Sequence, residues 1–427
     1  MGKTIRLKSL FFKATKIATS ELFFPASMWL LSRMTIWIAM LLLAPLLPTP
    51  SGGVAATFSL SVFDGWDSNH YRIIANSGYE YVNGKGNIAF FPFFPLILRL
   101  LMNIGVPFEI AGVLVNNLAF FGFLYILYFW VKQFQNQSIA RWTVAIAAWF
   151  PASMFAGVIY TEGLYLLLST AALRSFDCNR YTQAALWGAF ATATRPTGMA
   201  LIPAFILSAW KQRKPPLAYL AAFVTATGII SFSIYCLIQH NDPIAFIHAQ
   251  KGWRGSLGFT WKPWWKMLMQ VIIGNYNYKQ GYIKDILHPC IFLVIVACGC
   301  CLWRDRRKIS AAKVDYGFGV LFLGLWLLAG DPLINTISVF GSFYLLWRYR
   351  QELTPLSLFY GFCGLGLLMV SGGTWSLSRL VYGIVPPMIA WGILLSRHPR
   401  WGYMTLGFCA LLLFTFSLRF AQELWVG

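Results

Sequence analysis

The stretch Phe63-Asp64-Gly65-Trp66-Asp67-Ser68-Asn69-His70-Tyr71 follows the first long apolar run, residues 26–48, and sets two carboxylates, an indole and an imidazole beside it. The placement is telling because the whole chain holds 14 acidic residues among 427, against 34 basic ones. Ionisable groups beside a bilayer are costly to keep and mark function. From Trp66 to Ser77 the spacing predicts a short helix, with Asp67, His70, Tyr71 and Ile74 on one face at i, i+3, i+4 and i+7. Gly78 supplies its stop.

Around this stretch the chain is 58% hydrophobic and 11% charged. A soluble domain carries about 25% charged residues, so composition places the protein in a membrane. Apolar segments fall at 26–48, 108–132, 140–157, 160–175, 181–195, 197–211, 216–238, 286–303, 314–330, 333–348, 355–371, 379–396 and 401–421. They have helical length rather than the short alternation of a barrel. The expected fold is all-α, one polytopic integral membrane domain over 1–427 with about 13 transmembrane helices, roughly 11–14. The net charge of +20 sits mostly in short runs between spans. That pattern excludes nucleic acid as the partner and fits cytoplasmic anchors facing anionic lipid.

The same runs set the orientation. The N-terminal Lys3, Arg6, Lys8, Lys13 and Lys16, then Lys132/Arg141, Arg174/Arg180, Lys211/Arg213/Lys214, Arg304–Lys308, Arg348/Arg350 and Arg397/Arg400, should be cytoplasmic. They share a side only if 90–104, with Pro92, Pro95 and Arg99, does not cross but lies in the interface or dips and returns. Two loops, 49–107 and 239–285, then face the non-cytoplasmic side, with catalytic and interfacial helices expected in the first. The second carries Lys251, Arg254, Lys262, Lys266, Lys279 and Lys284 among Trp253, Trp261, Trp264 and Trp265. Long loops translocate regardless of charge, so the assignment stands. Such a loop suits an anionic lipid headgroup, or is an aromatic belt with solvated lysines. Short loops favour a bacterial inner membrane, with an uncleaved first helix and a cytoplasmic N-terminus. The eight cysteines have no zinc-site spacing and read as buried small apolar residues.

Asp64 and Asp67 have three readings on their own: a divalent-metal pair, a base tuned by its neighbour, or two helix-start caps. The residues that follow extend the pattern. Trp66-Asp67, His70-Tyr71, Ile74-Ala75, Gly78-Tyr79 and Ala89-Phe90-Phe91-Pro92 are succeeded by Tyr160-Thr161-Glu162 and Thr194-Arg195-Pro196-Thr197-Gly198. Asp242-Pro243-Ile244-Ala245-Phe246, His248-Ala249-Gln250 and Trp253 come next. In this order the motifs resemble the PIG-V family of mannosyltransferases, multi-pass C-type (GT-C) glycosyltransferases that use lipid-phosphate sugars. The match thins after about residue 270, where Ser378-Arg379 and the Pro386 region fit loosely.

The resemblance implies transfer of a hexose, mannose above all, from a polyprenyl- or dolichyl-phosphate donor to an acceptor on the external face, with inversion. The phosphate leaving group needs no protonation, so one carboxylate suffices as base, with cations holding the phosphate. Asp67 matches the family's Trp-Asp and takes the base role, with Asp64 second. Trp66, His70, Tyr71, Glu162, Arg195, His248, Gln250, Lys251, Trp253, Arg254 and Arg379 are the expected substrate-binding residues. Arg195 and Arg379 suit bidentate phosphate contact, and Glu162 is expected to pair with a base such as Arg195. No cofactor is expected; a divalent metal stays open, and the acceptor is unassigned. Two other classes fit a polytopic chain: a ligase moving a preassembled lipid-linked glycan, and a secondary transporter or flippase. Spans nearly free of charge and the lack of matching halves speak against transport.

Overall fold

The structure is a computed structural model that describes residues 21–82, 84–254 and 258–426; the side chains of Trp253 and Arg254 fall outside that description, as do the basic N-terminal residues used above for orientation. The first span is α1 (Phe23–Trp37), continued by π and 3-10 turns to Leu46. The first loop contributes α2 (Asp67–Ser77), the strands β1 (Tyr81–Val82) and β2 (Lys85–Gly86), and α3 (Phe93–Asn103). The strands pair antiparallel, Tyr81 opposite Gly86 and Val82 opposite Lys85.

Next come α4 (Phe108–Phe134), α5 (Gln137–Trp149), α6 (Glu162–Asp177), α7 (Tyr181–Thr194), α8 (Leu201–Lys211) and α9 (Pro216–Thr225). Helix α10 (Thr227–His240) continues α9 and leads into α11 (Ala245–Arg254), α12 (Trp261–Ile272) and α13 (Asn275–Gln280). The C-terminal part holds α14 (Leu287–Arg304), α15 (Ala311–Ala329), α16 (Asp331–Thr336), α17 (Ser342–Arg348) and α18 (Pro355–Val370). It ends with α19 (Leu377–Tyr382), α20 (Val385–Arg397) and α21 (Pro399–Ala421).

Every apolar segment read from the sequence is helical over most of its length, but several are broken. Pro196 starts a 3-10 turn where α7 hands over to α8, and a π turn at Ile337–Gly341 interrupts 331–348. The segment read as 379–396 is two helices, α19 and α20, because Pro386 and Pro387 can only open a helix. Among the described residues, six helices are long and apolar enough to cross a membrane: Phe23–Leu46, Phe108–Phe134, Pro216–His240, Leu287–Arg304, Ala311–Ala329 and Pro399–Ala421. Helix α3 has 11 residues, about 16 Å, roughly half a bilayer core, in keeping with a segment that does not cross.

The core is built by α4 on α6, α6 on α7, and α5 on α20. Close helix approach relies on small residues: a Cβ at Gly188 would lie 2.3 Å from Thr225 Oγ1, and one at Gly228 would lie 2.0 Å from Ala189 O. Helices α14 and α15 bury no residue and form the periphery. This corrects the reading of the cysteines. Only Cys236 and Cys409 are buried, whereas Cys290, Cys298, Cys300 and Cys301 lie on the exposed surface of α14, where an apolar thiol suits lipid. A second correction concerns charge inside the spans. Arg33 on α1 is fully buried and donates from Nη1 to Ser153 O at 3.0 Å and from Nη2 to Ser153 Oγ at 3.1 Å, over the Phe120 ring.

Candidate active site

Helix α2 begins as its sequence dictates, with Asp67 in the first turn and Gly78 as stop in the left-handed region at φ 89°. Tyr71 and Ile74 bury the shared face, and Asp67 starts it at the exposed end. Trp66 takes φ 58°, a conformation that non-glycine residues seldom adopt and that turns the chain sharply into the helix. The Asp67 amide donates to Tyr160 Oη at 3.2 Å, fixing the helix start to the α5–α6 connection.

Asp67 Oδ2 accepts from Arg379 Nη1 at 2.8 Å. Arg379 Nε donates to Glu162 Oε1 at 2.5 Å, and Arg195 Nη1 meets the same oxygen at 2.5 Å. One carboxylate oxygen of a fully buried Glu162 therefore bridges two guanidiniums. The other, Oε2, is buried without a hydrogen-bond partner. Arg379 also lies over the adjoining rings of Tyr160 and Phe155, at 4.5 and 4.7 Å from their centroids. Arg195 additionally reaches Thr161 Oγ1 at 3.3 Å, and Tyr71 Oη lies 3.5 Å from that hydroxyl. Residues 67, 160–162, 195 and 379 thus form one charged cluster, neutral in sum, in an apolar surround.

Glu162 is held from behind. It opens α6, and the next amide, Gly163 N–H, donates to Asn116 Oδ1 at 2.7 Å, while Asn116 Nδ2 donates to Phe155 O and Val158 O. Asn116 had a sequence signal, an Asn-Asn pair inside an otherwise apolar helix, which the motif reading passed over. Tyr160 and Thr161 lay within a recognised motif and prove to be part of the cluster. Phe155 had no signal.

Asp64 stands apart from Asp67. It pairs with Arg72 and accepts from Ser68 Oγ at 2.6 Å, while Arg72 also binds Glu109 at 2.7 Å. Its carboxylate is occupied by α2, and Arg72 ties that helix to the start of α4. His70 stacks on Phe90, centroids 4.6 Å apart. Burial pulls its pKa below the usual imidazole value, against the upward pull of Asp67.

The second loop docks on the first. Gln250 Nε2 donates to Ala89 O at 3.2 Å, next to the Phe90 on which His70 stacks. His248 Nδ1 lies 2.7 Å from Asp242 Oδ2, which also accepts from Tyr81 Oη at 2.8 Å. Burial pushes the Asp242 carboxyl up, but the hydrogen bonds from His248 and Tyr81 outweigh it and hold the group below its usual range. Tyr81 is pushed up to about 12 by burial and by Asp242. Gln250 and Asp242 thus join the loops, His248 pairs within its own loop, and Lys251 is exposed. Trp253 and Arg254 share α11, their side chains outside the described part.

A cavity of about 520 Å³ lies behind α2, lined by Ile74, Phe93, Leu96, Arg99, Phe190 and Phe232 among others. Its wall is almost wholly apolar, and Ile74 is on the Asp67 face, about 10 Å along the helix. Among the described residues no group of three or more His, Cys, Asp or Glu side chains is placed to hold a metal ion.

Residues 28–237 match the family described as mannosyltransferase (PIG-V). This part of the chain is similar to that family. The matched part carries Asp67, Glu162 and Arg195; Arg379 lies beyond it, joined to the site by the fold. Curated relatives include the human GPI alpha-1,6-mannosyltransferase 2, 29% identical over 51% of this chain and 51% of that protein. The mouse protein of the same name is 25% identical over 52% and 50%. The chain thus spans about half the length of the curated relatives it matches. An Archaeoglobus fulgidus oligosaccharyltransferase is a similar solved structure, at 11% identity, TM-score 0.49, covering 94% of this chain and 56% of that one.

Proposed function

We propose that this chain is a GT-C-type glycosyltransferase that moves a hexose, mannose in the first instance, from a polyprenyl- or dolichyl-phosphate sugar to an acceptor hydroxyl on the non-cytoplasmic face. The PIG-V match and the mannosyltransferase relatives support the class. The observation that carries the mechanism is the Asp67–Arg379 pair set against the two guanidiniums bridged by Glu162.

In the proposed step Asp67 takes the proton of the acceptor hydroxyl. The acceptor oxygen attacks the anomeric carbon from the face opposite the phosphate, the bond from that carbon to the phosphate oxygen breaks, and the lipid phosphate leaves with the electron pair. Asp67 Oδ1 makes no hydrogen bond among the described residues and is the proton acceptor. Charge follows the chemistry. As Asp67 becomes neutral, Arg379 loses a counter-ion at the moment the leaving phosphate gains charge. The Arg379 Nη2 donor, used by neither carboxylate, is free to meet that phosphate. Arg195 supplies the second cation. The apolar cavity behind α2 has the size and lining to take part of the donor's isoprenoid chain, so that chain and sugar lie along one helix. Positive charge at the leaving group comes from arginine in this scheme, without a metal.

The decisive experiment follows cleavage of a short-chain polyprenyl-phosphate mannose by purified protein, wild type against Asp67→Asn. The expected loss is about 10²–10⁴-fold with donor binding retained, the usual worth of a positioned base. Near-normal turnover by the variant would remove Asp67 from the base role. Donor bound and never cleaved, with ion flux coupled to Glu162, would move the assignment to a transporter. Cleavage only of diphosphate-linked glycans would move it to a ligase.

A further inference from the structure

Both elements that carry the proposed catalytic pair open with a tryptophan. Trp66 precedes Asp67, and Trp375 stands in the turn before α19, which carries Arg379. Each turn is sharply bent by a non-glycine residue at positive φ, Trp66 at 58° and Ser376 at 52°. Both indoles converge on a third, Trp425, just past the last helix. Trp66 and Trp425 have ring centroids 5.5 Å apart at 85°, and Trp375 and Trp425 have theirs 5.6 Å apart at 85°.

The tail bearing Trp425 is anchored to this place. Val54 N–H donates to Gln422 O at 2.9 Å, and Gln422 Nε2 donates to Pro48 O at 3.2 Å. Phe420, one turn before the tail, packs on Tyr160 and Phe155, the two rings that hold Arg379. The three indoles nonetheless stay 44%, 69% and 42% exposed for Trp66, Trp375 and Trp425. Three large apolar rings held edge to face, two of them on the turns that lead into Asp67 and Arg379, have the chemistry that recognises a pyranose. The C–H face of the sugar stacks on indole, and its hydroxyls meet the polar groups next to it. Interfacial tryptophans in general need only lipid headgroups around them, not a shared aromatic partner such as Trp425.

We infer that Trp66, Trp375 and Trp425 form the acceptor platform, stacking the pyranose whose hydroxyl faces Asp67. The inference rests on the transferase reading for its orientation, and it makes the acceptor a glycan rather than a simple alcohol or a peptide.

The test is equilibrium binding of radiolabelled octyl α-mannoside to the full chain in nanodiscs, below the concentration at which the probe forms micelles. Octyl glycerol, which shares the tail and lacks the ring, is the control. Wild type should bind the mannoside more tightly than the control. Trp375→Ala and Trp425→Ala should each weaken mannoside binding about three- to ten-fold, the worth of one aromatic face, without weakening the control. Trp425→Phe should recover part of the loss, which keeps the test sound if an alanine variant folds poorly. Equal binding of both probes, or equal loss of both in the variants, overturns the platform and leaves a lipid-belt role. Donor cleavage is read separately. Mannoside binding that depends on the indoles in a protein that never cleaves donor supports the platform and counts only against the transferase reading.

Discussion

Asp67 Oδ2 and Arg379 Nη1 form a 2.8 Å hydrogen bond across 312 residues of sequence. The bond closes the first loop onto the C-terminal helices, and through Glu162 it reaches α6 and Arg195. The site therefore exists only when both halves of the chain are folded together, and its charges are set by pairing rather than by water. Breaking one member of a buried charge group leaves the others uncompensated, which costs more than the pair itself contributed.

Arginine at 379 is needed for its shape. The flat guanidinium meets Glu162 with Nε and Asp67 with Nη1 while packing over two adjoining aromatic rings, and an ammonium cannot do all three. Arg379→Lys should lower donor cleavage by about 10²–10³-fold, the scale of a lost donor to developing charge. It should also lose roughly 1–3 kcal/mol of stability, because hydrogen bonds to buried groups disappear while the charge remains. Donor turnover and thermal unfolding of the same preparation check both. A variant that turns over like wild type leaves Arg379 as a packing residue only.

Chelation should not matter. Each carboxylate of the cluster already holds an arginine on one oxygen, and Asp64 is paired with Arg72, so a divalent ion would have to bind against the charge of a neighbouring guanidinium. Turnover by protein dialysed against EDTA should match that of untreated protein, and added Mg²⁺ or Mn²⁺ should not raise it. A loss on chelation that only metal restores would replace the arginine mechanism by a metal one.

His70 gives the protein an acid limb. Its pKa is depressed in the folded state by burial, so the unfolded chain takes up a proton first, near pH 6.5. Its contribution is complete above that pH and is lost as pH falls from there through the depressed folded value. His70→Gln, which keeps a planar polar side chain against Phe90, should flatten the fall in unfolding temperature below about pH 6.5. An unchanged acid limb in the variant would assign it to other groups.

The legible part of the sequence was local. The α2 helix, its glycine stop and its shared face follow from spacing over a dozen residues, and the short helix α3 falls in the proline-rich segment 90–104. The Glu162–Arg195 pair was expected and is present at 2.5 Å. What sequence did not tell is long-range. Asp64 was second to Asp67 for the base role, and its pairing with Arg72 and Ser68 could not be read from the sequence. The pairing of His248 with Asp242 on the same loop had no signal in the motifs. Cysteines in apolar runs looked buried, because an apolar helix facing lipid and one facing protein have the same composition. Arg33 illustrates the converse, a charge inside a span whose partner lies 120 residues on.

Gly163 offers a test of the support behind Glu162 that alters no charge. A Cβ there would lie 2.3 Å from the Asn116 carbonyl oxygen and 2.5 Å from its Oδ1, atoms of a packed backbone and of an amide that already holds three partners. Neither can move aside without shifting α4 or releasing the start of α6. Gly163→Ala should therefore cost about 1–3 kcal/mol of stability by overpacking, even though alanine is the better helix former. Because Glu162 is the adjoining residue, the same shift should loosen its bridge to Arg195 and Arg379 and reduce turnover more than donor binding. Melting and steady-state kinetics of the variant separate these effects. A stable variant with normal kinetics would mean that α6 can slide on α4, and that Glu162 is positioned by its arginines and not by the Asn116 clamp.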